Sequence, residues 1–497
     1  MRKKRHSRRE FIRGIAGISA GALMTGCSLM TTTRPPRKRP NIILFLSDDH
    51  SIVDAGCYGN SVVQTPNIDR LAGEGMRFDN VFSASPTCAP SRSSLYTGLF
   101  PHRHGAHPNH GKAREGVKSL PHYMRSLGYR TILVGKAHIP LDERFPFERF
   151  ATGSKEKYVV VEEGNKLDEL FSTLPGSQPF CLVLATNDPH VPWRVKTSYD
   201  PNDIELPPYL LDTEATRRAL ARYYADVTAM DKELGLTLDL VAKHGLEENT
   251  LVIYTSDQGA QTSHAKWNLY DAGIKVPFIA RWPGRIKPGT TTEAMISFVD
   301  LVPTFIETGG GDPGGVVARC GGDRLDGRSF LPVLTGEQHE FRDLIHATHT
   351  RDGTMNVYPM RCVRTDTHKY IRNFAHEWPF STHLTVYHAE WRSWARKAEG
   401  DPIAAERVKL TEYRPPEELY DLRADPHELN NLAGESASGP LLLSFRKQLD
   451  SWMKEQGDPG NDIPRRQFEQ GVKARAKIAE KIKKKIQRWK IKNIEKS

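Results

Sequence analysis

The chain has few cysteines and none in a chemically paired arrangement: Cys27, Cys57, Cys88, Cys181, Cys320 and Cys362 include no Cys-x-x-Cys step and no zinc-like spacing. A zinc-ribbon or dithiol redox motif is thereby excluded. No apolar run is long enough to cross a bilayer as a permanent helix. Nothing in the composition suggests a repeat array or a disordered polymer. Basic charge is missing from the body of the chain, although the formal net charge is +10. The first 40 residues carry 11 Lys and Arg against one acid, and the tail from Arg465 carries 13 against three, so the body between them is about ten charges negative. Nucleic acid is not an expected partner. With 497 residues, two packed domains are the default.

The basic N-terminus reads as an export signal. Arg2 to Arg9 is a basic stretch, Ser7-Arg8-Arg9-Glu10-Phe11-Ile12 has the twin-arginine pattern, and a short apolar stretch, Gly14 to Met24, follows. Leu23-Met24-Thr25-Gly26-Cys27 then places small residues before a cysteine, as in a lipoprotein cleavage box, with Met24 where Leu is usual. The expectation is a signal over residues 1–27, a tether over 28–40 and a lipid anchor at Cys27, putting the mature protein in the periplasm or on the outer membrane. Disulfides are permitted there, yet scattered buried thiols are the expectation for Cys57, Cys181, Cys320 and Cys362.

Four apolar runs each stop abruptly at polar residues. Asn41 to Leu46 leads into Ser47-Asp48-Asp49-His50, Arg130 to Val134 into Gly135-Lys136-Ala137-His138, Phe180 to Ala185 into Asn187-Asp188-Pro189-His190, and Thr250 to Tyr254 into Ser256-Asp257-Gln258-Gly259. Near-continuous runs of this length mark strands buried on both faces. Val117 to Leu127 and Ala215 to His244 lie between them with apolar positions at helical spacing. The alternation predicts an α/β fold with a largely parallel sheet. Ligands bind such sheets at the carboxyl ends of the strands, so the Asp, His and Lys groups are expected in one pocket. After Gly336, shorter runs at Leu344 to His349, Met360 to Val363 and Lys369 to Phe374 predict a smaller α+β domain closed by a helix at Leu441 to Gln456. The expected boundaries are 41–340, 341–460 and a basic tail over 465–497, either solvated or amphipathic.

The longest motif is Cys88-Ala89-Pro90-Ser91-Arg92-Ser93-Ser94-Leu95-Tyr96-Thr97-Gly98. Pro90 suits the first turn of a helix that Gly98 ends, which sets Cys88 just before an N-terminus whose unpaired N–H groups favour an anion. Taken alone, such a cysteine reads as a low-pKa thiol. The stretch resembles the sulfatase family, whose C-x-P-S-R-x-x-L-x-T-G pattern it meets at every fixed position. The resemblance implies the alkaline phosphatase-like α/β/α sandwich with a smaller C-terminal α+β domain. It also implies that a sulfatase-maturation enzyme oxidises Cys88 to formylglycine (3-oxoalanine), whose hydrate attacks sulfate esters or sulfamates.

Asp48, Asp49, Asp257 and the amide oxygen of Gln258 make an all-oxygen set that suits a hard cation such as Ca2+. By resemblance these residues, with residue 88, hold the metal; Gln258 stands where the family usually has Asn or His. The resemblance further assigns Lys136 and Lys266 to the sulfate oxygens and Arg92 to the formylglycine diol and the metal ligands. It makes His190 the acid that protonates the leaving group and His138 the base that regenerates the aldehyde. Lys275 is the neighbouring substitute for Lys266.

Within the family the second domain looks most like the heparan N-sulfatase (sulfamidase) branch. Thr354 to Arg361, Trp378-Pro379-Phe380, Glu418-Leu419-Tyr420-Asp421 and Asp425-Pro426-His427-Glu428 carry that likeness. Lys266 departs from it, since that branch has Arg there and many O-sulfatases have Lys. A substrate wall is expected at His349, Arg351, Asp352 and Arg361, because selecting a terminal sugar needs convergent hydrogen bonds. Three function classes stay open: a sulfatase of sulfated saccharides, whether a sulfamidase or an exo-O-sulfatase of algal or host polysaccharide; a phosphoester hydrolase of the same superfamily; and a non-catalytic glycan-binding lipoprotein. A single metal set beside an oxidisable cysteine favours the first.

Overall fold

The computed structural model describes residues 38–150, 164–176 and 178–494. The expected leader, Cys27 and all but the end of the tether lie outside the described residues. The four apolar runs are strands β1 (Asn41–Ser47), β3 (Arg130–Gly135), β5 (Phe180–Ala185) and β6 (Thr250–Ser256). Joined by β2 (Met76–Phe82), β4 (Glu148–Phe150), β7 (Lys275–Arg281), β8 (Thr290–Thr292) and β9 (Ile296–Ser297), they form a sheet in the order β4-β3-β5-β1-β6-β7-β2-β8, with β9 beside β2. The continuous runs follow from burial on both faces: Ile42, Leu44 and Leu46 enter one core, Ile43 and Phe45 the other. Each such side chain contributes about 1.5–3 kcal/mol of hydrophobic stabilisation.

Register fixes the site. Ser47 pairs with Ser256, Leu46 with Ala185, and Gly135 with Ala185. The residues that follow β1, β3, β5 and β6 therefore leave the sheet at one level. β7 runs antiparallel to β6, and β2 antiparallel to β7. Two reversals restore the common direction, so the end of β2 reaches the same edge and leads into the helix Cys88–Thr97.

Helix Glu214–Lys243 is capped by Thr213, whose side chain accepts from the Thr216 N–H. Its Leu220, Tyr223, Val227, Met230 and Leu234 pack into the second core. The expected helix from Val117 begins only at Leu120, because Ser119 forms a capping box with His122.

The second sheet is an antiparallel meander of β10 (Ile345–Asp352), β11 (Asn356–Arg364), β12 (His368–Asn373) and β13 (Glu417–Asp421). Helix Gly439–Gln456 covers it through Leu442, Phe445 and Leu449. Another hydrophobic cluster joins its Ile345, Tyr358 and Ile371 to Trp267, Leu269 and Tyr270, the segment just after Lys266. This sheet therefore braces the active edge of the first. The tail is a helix over Arg465–Ile494 with Lys473, Lys477, Lys481 and Lys484 exposed. Cys57, Cys88, Cys181, Cys320 and Cys362 are free thiols. Among the described residues no helix is long and apolar enough to cross a membrane.

Candidate active site

Helix Cys88–Thr97 begins at Cys88 itself, one position earlier than expected, and is buried at every position although most of its residues are polar. Its role is to present polar groups. Ser91 Oγ donates to the Asp257 carbonyl at 2.5 Å, and Arg92 Nε donates to Asp257 Oδ2 at 2.8 Å. Arg92 Nη1 reaches the Lys136 carbonyl at 3.1 Å, and Nη2 lies 3.7 Å from Asp48 Oδ1. One guanidinium thus ties together the ends of β1, β3 and β6. Gly98 ends the helix at φ 71°, where a side chain is disfavoured.

Asp48, Asp49, Asp257 and Cys88 bring one potential ligand atom each within 4.8 Å of one another, all in buried residues. Cys88 Sγ lies 3.3 Å from Asp48 Oδ1, and Gln258 Nε2 donates to it at 3.0 Å. Gln258 Nε2 also donates to Asp49 Oδ1. Gln258 Oε1 is buried with no partner among the described residues. A half-turn of the amide exchanges its oxygen and nitrogen, turning the carbonyl toward the carboxylates. Gly259 holds this corner, since a Cβ there would lie 1.9 Å from the Ala272 carbonyl.

The electrostatics call for a cation. Burial, opposed by Arg92 but reinforced by the Asp48 charge, pushes the Asp257 carboxyl up to about 7. Burial also acts on Asp48, yet Lys136, His190 and Arg92 hold it well below the usual carboxylate range. Three crowded carboxylates and an orphaned amide oxygen make an oxygen donor set that fits a hard divalent ion, whereas the Cys88 sulfur, a soft donor, does not unless residue 88 is converted to an oxygen ligand. Burial and then the Asp48 charge push the Cys88 thiol well above its ordinary value. The low-pKa thiol that a helix N-terminus suggests in isolation is therefore not what this site holds, because desolvation outweighs the helix end.

Two lysines flank the carboxylates. Lys136 Nζ donates to Asp48 Oδ2 and lies 3.9 Å from Cys88 Sγ. Lys266 Nζ donates to Asp49 Oδ2 at 2.6 Å and to Gln261 Oε1 at 3.2 Å. Lys275 faces elsewhere: with Asp54, Tyr209, Arg364 and His427 it lines a separate cavity of about 570 Å3 that does not include Cys88. His190 Nε2 is 3.7 Å from Asp49 Oδ2, and its Nδ1 contacts the Val191 carbonyl at 2.6 Å. His138 Nε2 is 2.9 Å from Nδ1 of His110. Asp49, His110, His138 and Trp267 all sit at positive φ, between 50 and 70°. Such backbone is held only where the surroundings over-determine it, and four of the six non-glycine residues at positive φ among the described residues belong to this group.

The expected sugar-binding wall divides. Arg361 is fully buried, with its guanidinium on Asp458 and His102, and His349 is buried against Asn356 at 2.6 Å. Neither lines a wall: both lie inside the second sheet, where a buried guanidinium has to be paired. Arg351 donates to Gln467 Oε1 at 2.8 Å, and Asp352 Oδ2 accepts from Trp267 Nε1 at 2.7 Å. Of the four, Asp352 adjoins the lysine side of the pocket. His110 and Asn109 are additions that motif reading missed. The available signal was four histidines in nine residues, His102, His104, His107 and His110.

Residues 40–311 match the family profile Sulfatase, and residues 259–383 match the profile N-sulphoglucosamine sulphohydrolase, C-terminal. An ulvan-active sulfatase of Formosa agariphila is 34% identical over 441 residues, covering 87% of this chain and 84% of that protein. Human N-sulphoglucosamine sulphohydrolase is 30% identical over 475 residues, covering 87% of this chain and 94% of its own length. A solved sulfatase-fold structure in complex with its substrate D-glucosamine-2-N,6-O-disulfate superposes with a TM-score of 0.65 at 22% identity, over 85% of this chain and 99% of that one. With the α/β sheet, the smaller antiparallel sheet and the profile match over more than half its length, this chain belongs to the sulfatase family.

Proposed function

We propose that the chain is an exported, calcium- and formylglycine-dependent sulfatase of glycan-derived saccharides, with N-sulfated glucosamine as the first substrate to test. The observation that carries this reading is the convergence of three carboxylates and Cys88 within 4.8 Å, between Arg92, Lys136 and Lys266. A phosphoester hydrolase with two metals would need further Asp and His ligands, and a binding module would need none of these groups.

Asp48, Asp49, Asp257, Gln258 and residue 88 would hold the ion, which supplies Lewis-acid charge for a sulfate oxygen. Residue 88, once oxidised and hydrated, supplies the nucleophilic hydroxyl. Arg92, locked by Asp257, keeps the reacting group and the ligands in one geometry. Lys136 and Lys266 neutralise the sulfate oxygens as charge builds on them, which requires no reorganisation because both are already fixed by carboxylates. With Nδ1–H donating to the Val191 carbonyl, His190 delivers a proton at Nε2 to the departing nitrogen or oxygen as the imidazolium, the form that Asp49 at 3.7 Å favours. Once one hydroxyl of residue 88 has taken the sulfate, His138 would remove the proton from the other, so that the C=O reforms as the C–O bond to the sulfate breaks and sulfate leaves.

The N-sulfate preference rests on the C-terminal profile match and the human relative. A specific residue supports a second reading: Lys266 is what many O-sulfatases carry by the family resemblance, and the ulvan-active relative has a higher identity than the human one. Sulfate release from N-sulfated and from 6-O-sulfated glucosamine, measured side by side on matured protein, separates them. Faster release from the sulfamate is expected; release from the O-sulfate alone would leave the sulfatase reading and remove the sulfamidase one. Chelation should abolish both activities and added Ca2+ restore them. The twin-arginine leader and Cys27 support export and a lipid anchor, which fractionation of the full chain against a Cys27→Ser variant would test.

A further inference from the structure

Nothing in the motif explains what holds the ring of His138, which sits on left-handed backbone at φ 50° beside Lys136. A histidine that must present one chosen nitrogen to a reaction needs its other nitrogen engaged, because that bond sets both tautomer and orientation. His138 Nε2 is engaged by His110 Nδ1 at 2.9 Å, while His138 Nδ1 is buried with no partner among the described residues. His110 in turn lies with Nε2 3.5 Å from Asp352 Oδ1, and the other oxygen of Asp352 accepts from Trp267 Nε1 at 2.7 Å. Neighbouring backbone fixes the same link. The Asn109 N–H donates to the Arg351 carbonyl at 2.9 Å, and Asn109 Oδ1 accepts from the Ala89 N–H at 3.1 Å. The Asn109-His110 turn therefore joins the Cys88 helix, the end of β3 and the end of β10.

We propose that His110 is a positioning residue for His138, anchored by Asp352, so that the second sheet sets the orientation of a reacting group on the first. Charges run in a consistent order. The hydrogen bond to Asp352 raises His110, whereas burial, with Lys136 and Arg92, lowers His138 to about 3. Burial works against the Asp352 charge, but His110, Trp267 and Lys266 hold it down. His110 accordingly keeps its proton on Nε2 toward Asp352 and accepts from the His138 Nε2–H at Nδ1, which leaves the buried Nδ1 of His138 as the lone pair free to take a proton. The His110 side chain is 63% exposed and the Asp352 side chain 7%. That exposure raises the competing reading, a direct contact to substrate.

This inference rests on the catalytic reading of His138, and the experiment separates the two. Initial rates on matured, calcium-loaded full-length protein would be measured with N-sulfated glucosamine, or with the 6-O-sulfated sugar if that is the one turned over. The variants are His138→Ala, His110→Ala, His110→Asn, Asp352→Asn and the double variant His110→Ala/Asp352→Asn. Removing a supporting partner of this kind costs about 10- to 100-fold. That loss is expected in kcat for His110→Ala and for Asp352→Asn, with KM within about threefold. His110→Asn offers its amide oxygen as an acceptor near the Nδ1 position and should recover part of kcat. The double variant should be no slower than the slower single, since both act through one bond. An unchanged kcat in His110→Ala alongside an inactive His138→Ala would overturn the proposal, as would a change in KM alone or losses that multiply. Retained turnover in His138→Ala would instead remove the catalytic role of His138, and this inference with it.

Discussion

Cys88→Ala is expected to lower sulfate release by at least about 1,000-fold while the protein stays folded, because it removes the one group able to become the nucleophile. Cys88 is 1% exposed, and the polar contacts of its sulfur among the described residues are to groups of the site, Asp48, Gln258 and Lys136. Loss of so small a buried group costs about 1 kcal/mol of stability. Sulfate release and thermal unfolding of the same preparation separate the two effects. The burial that raises the Cys88 thiol disfavours a thiolate nucleophile, so an unoxidised enzyme should be equally silent. Turnover by the alanine variant would mean that sulfate is attacked from elsewhere.

Arg92→Ala should damage both stability and rate. Its guanidinium is fully buried between Asp257 at 2.8 Å and Asp48 at 3.7 Å, so removal strands carboxylates that are themselves wholly buried. Breaking one side of such a pair costs about 3–5 kcal/mol. Arg92→Lys is not expected to rescue it, because one ammonium cannot serve both Asp257 and the Lys136 carbonyl as the fork does. Denaturant unfolding reads the stability, and a loss under about 1 kcal/mol would contradict the role given to this residue.

The residues easiest to read from the sequence are those delivered by strand ends. Asp48, Lys136, His190 and Asp257 each follow an apolar run, and the register of β1 with β5 and β6 brings those ends level. Period and punctuation are local signals, so they survive in one sequence. The α/β body and the smaller antiparallel sheet were legible for the same reason. His349 and Arg361 show the limit. Polar residues within an alternating strand read as surface, but His349 is paired across the hairpin with Asn356, and the partners that bury Arg361, Asp458 and His102, come from distant parts of the chain. His110 was missed for the complementary reason, since its bonds to His138 and Asp352 cross between loops that no periodicity links. Lys266 and Lys275 were separated only by the turn after Gly259, which sends the first to Asp49 and the second to another cavity.

The most direct test is the mass of the tryptic peptide containing residue 88, taken from protein co-produced with a sulfatase-maturation enzyme and assayed for sulfate release in the same batch. An aldehyde in place of the thiol, in proportion to the specific activity, is the expected result. Full activity from protein in which residue 88 is still an unmodified cysteine would contradict it.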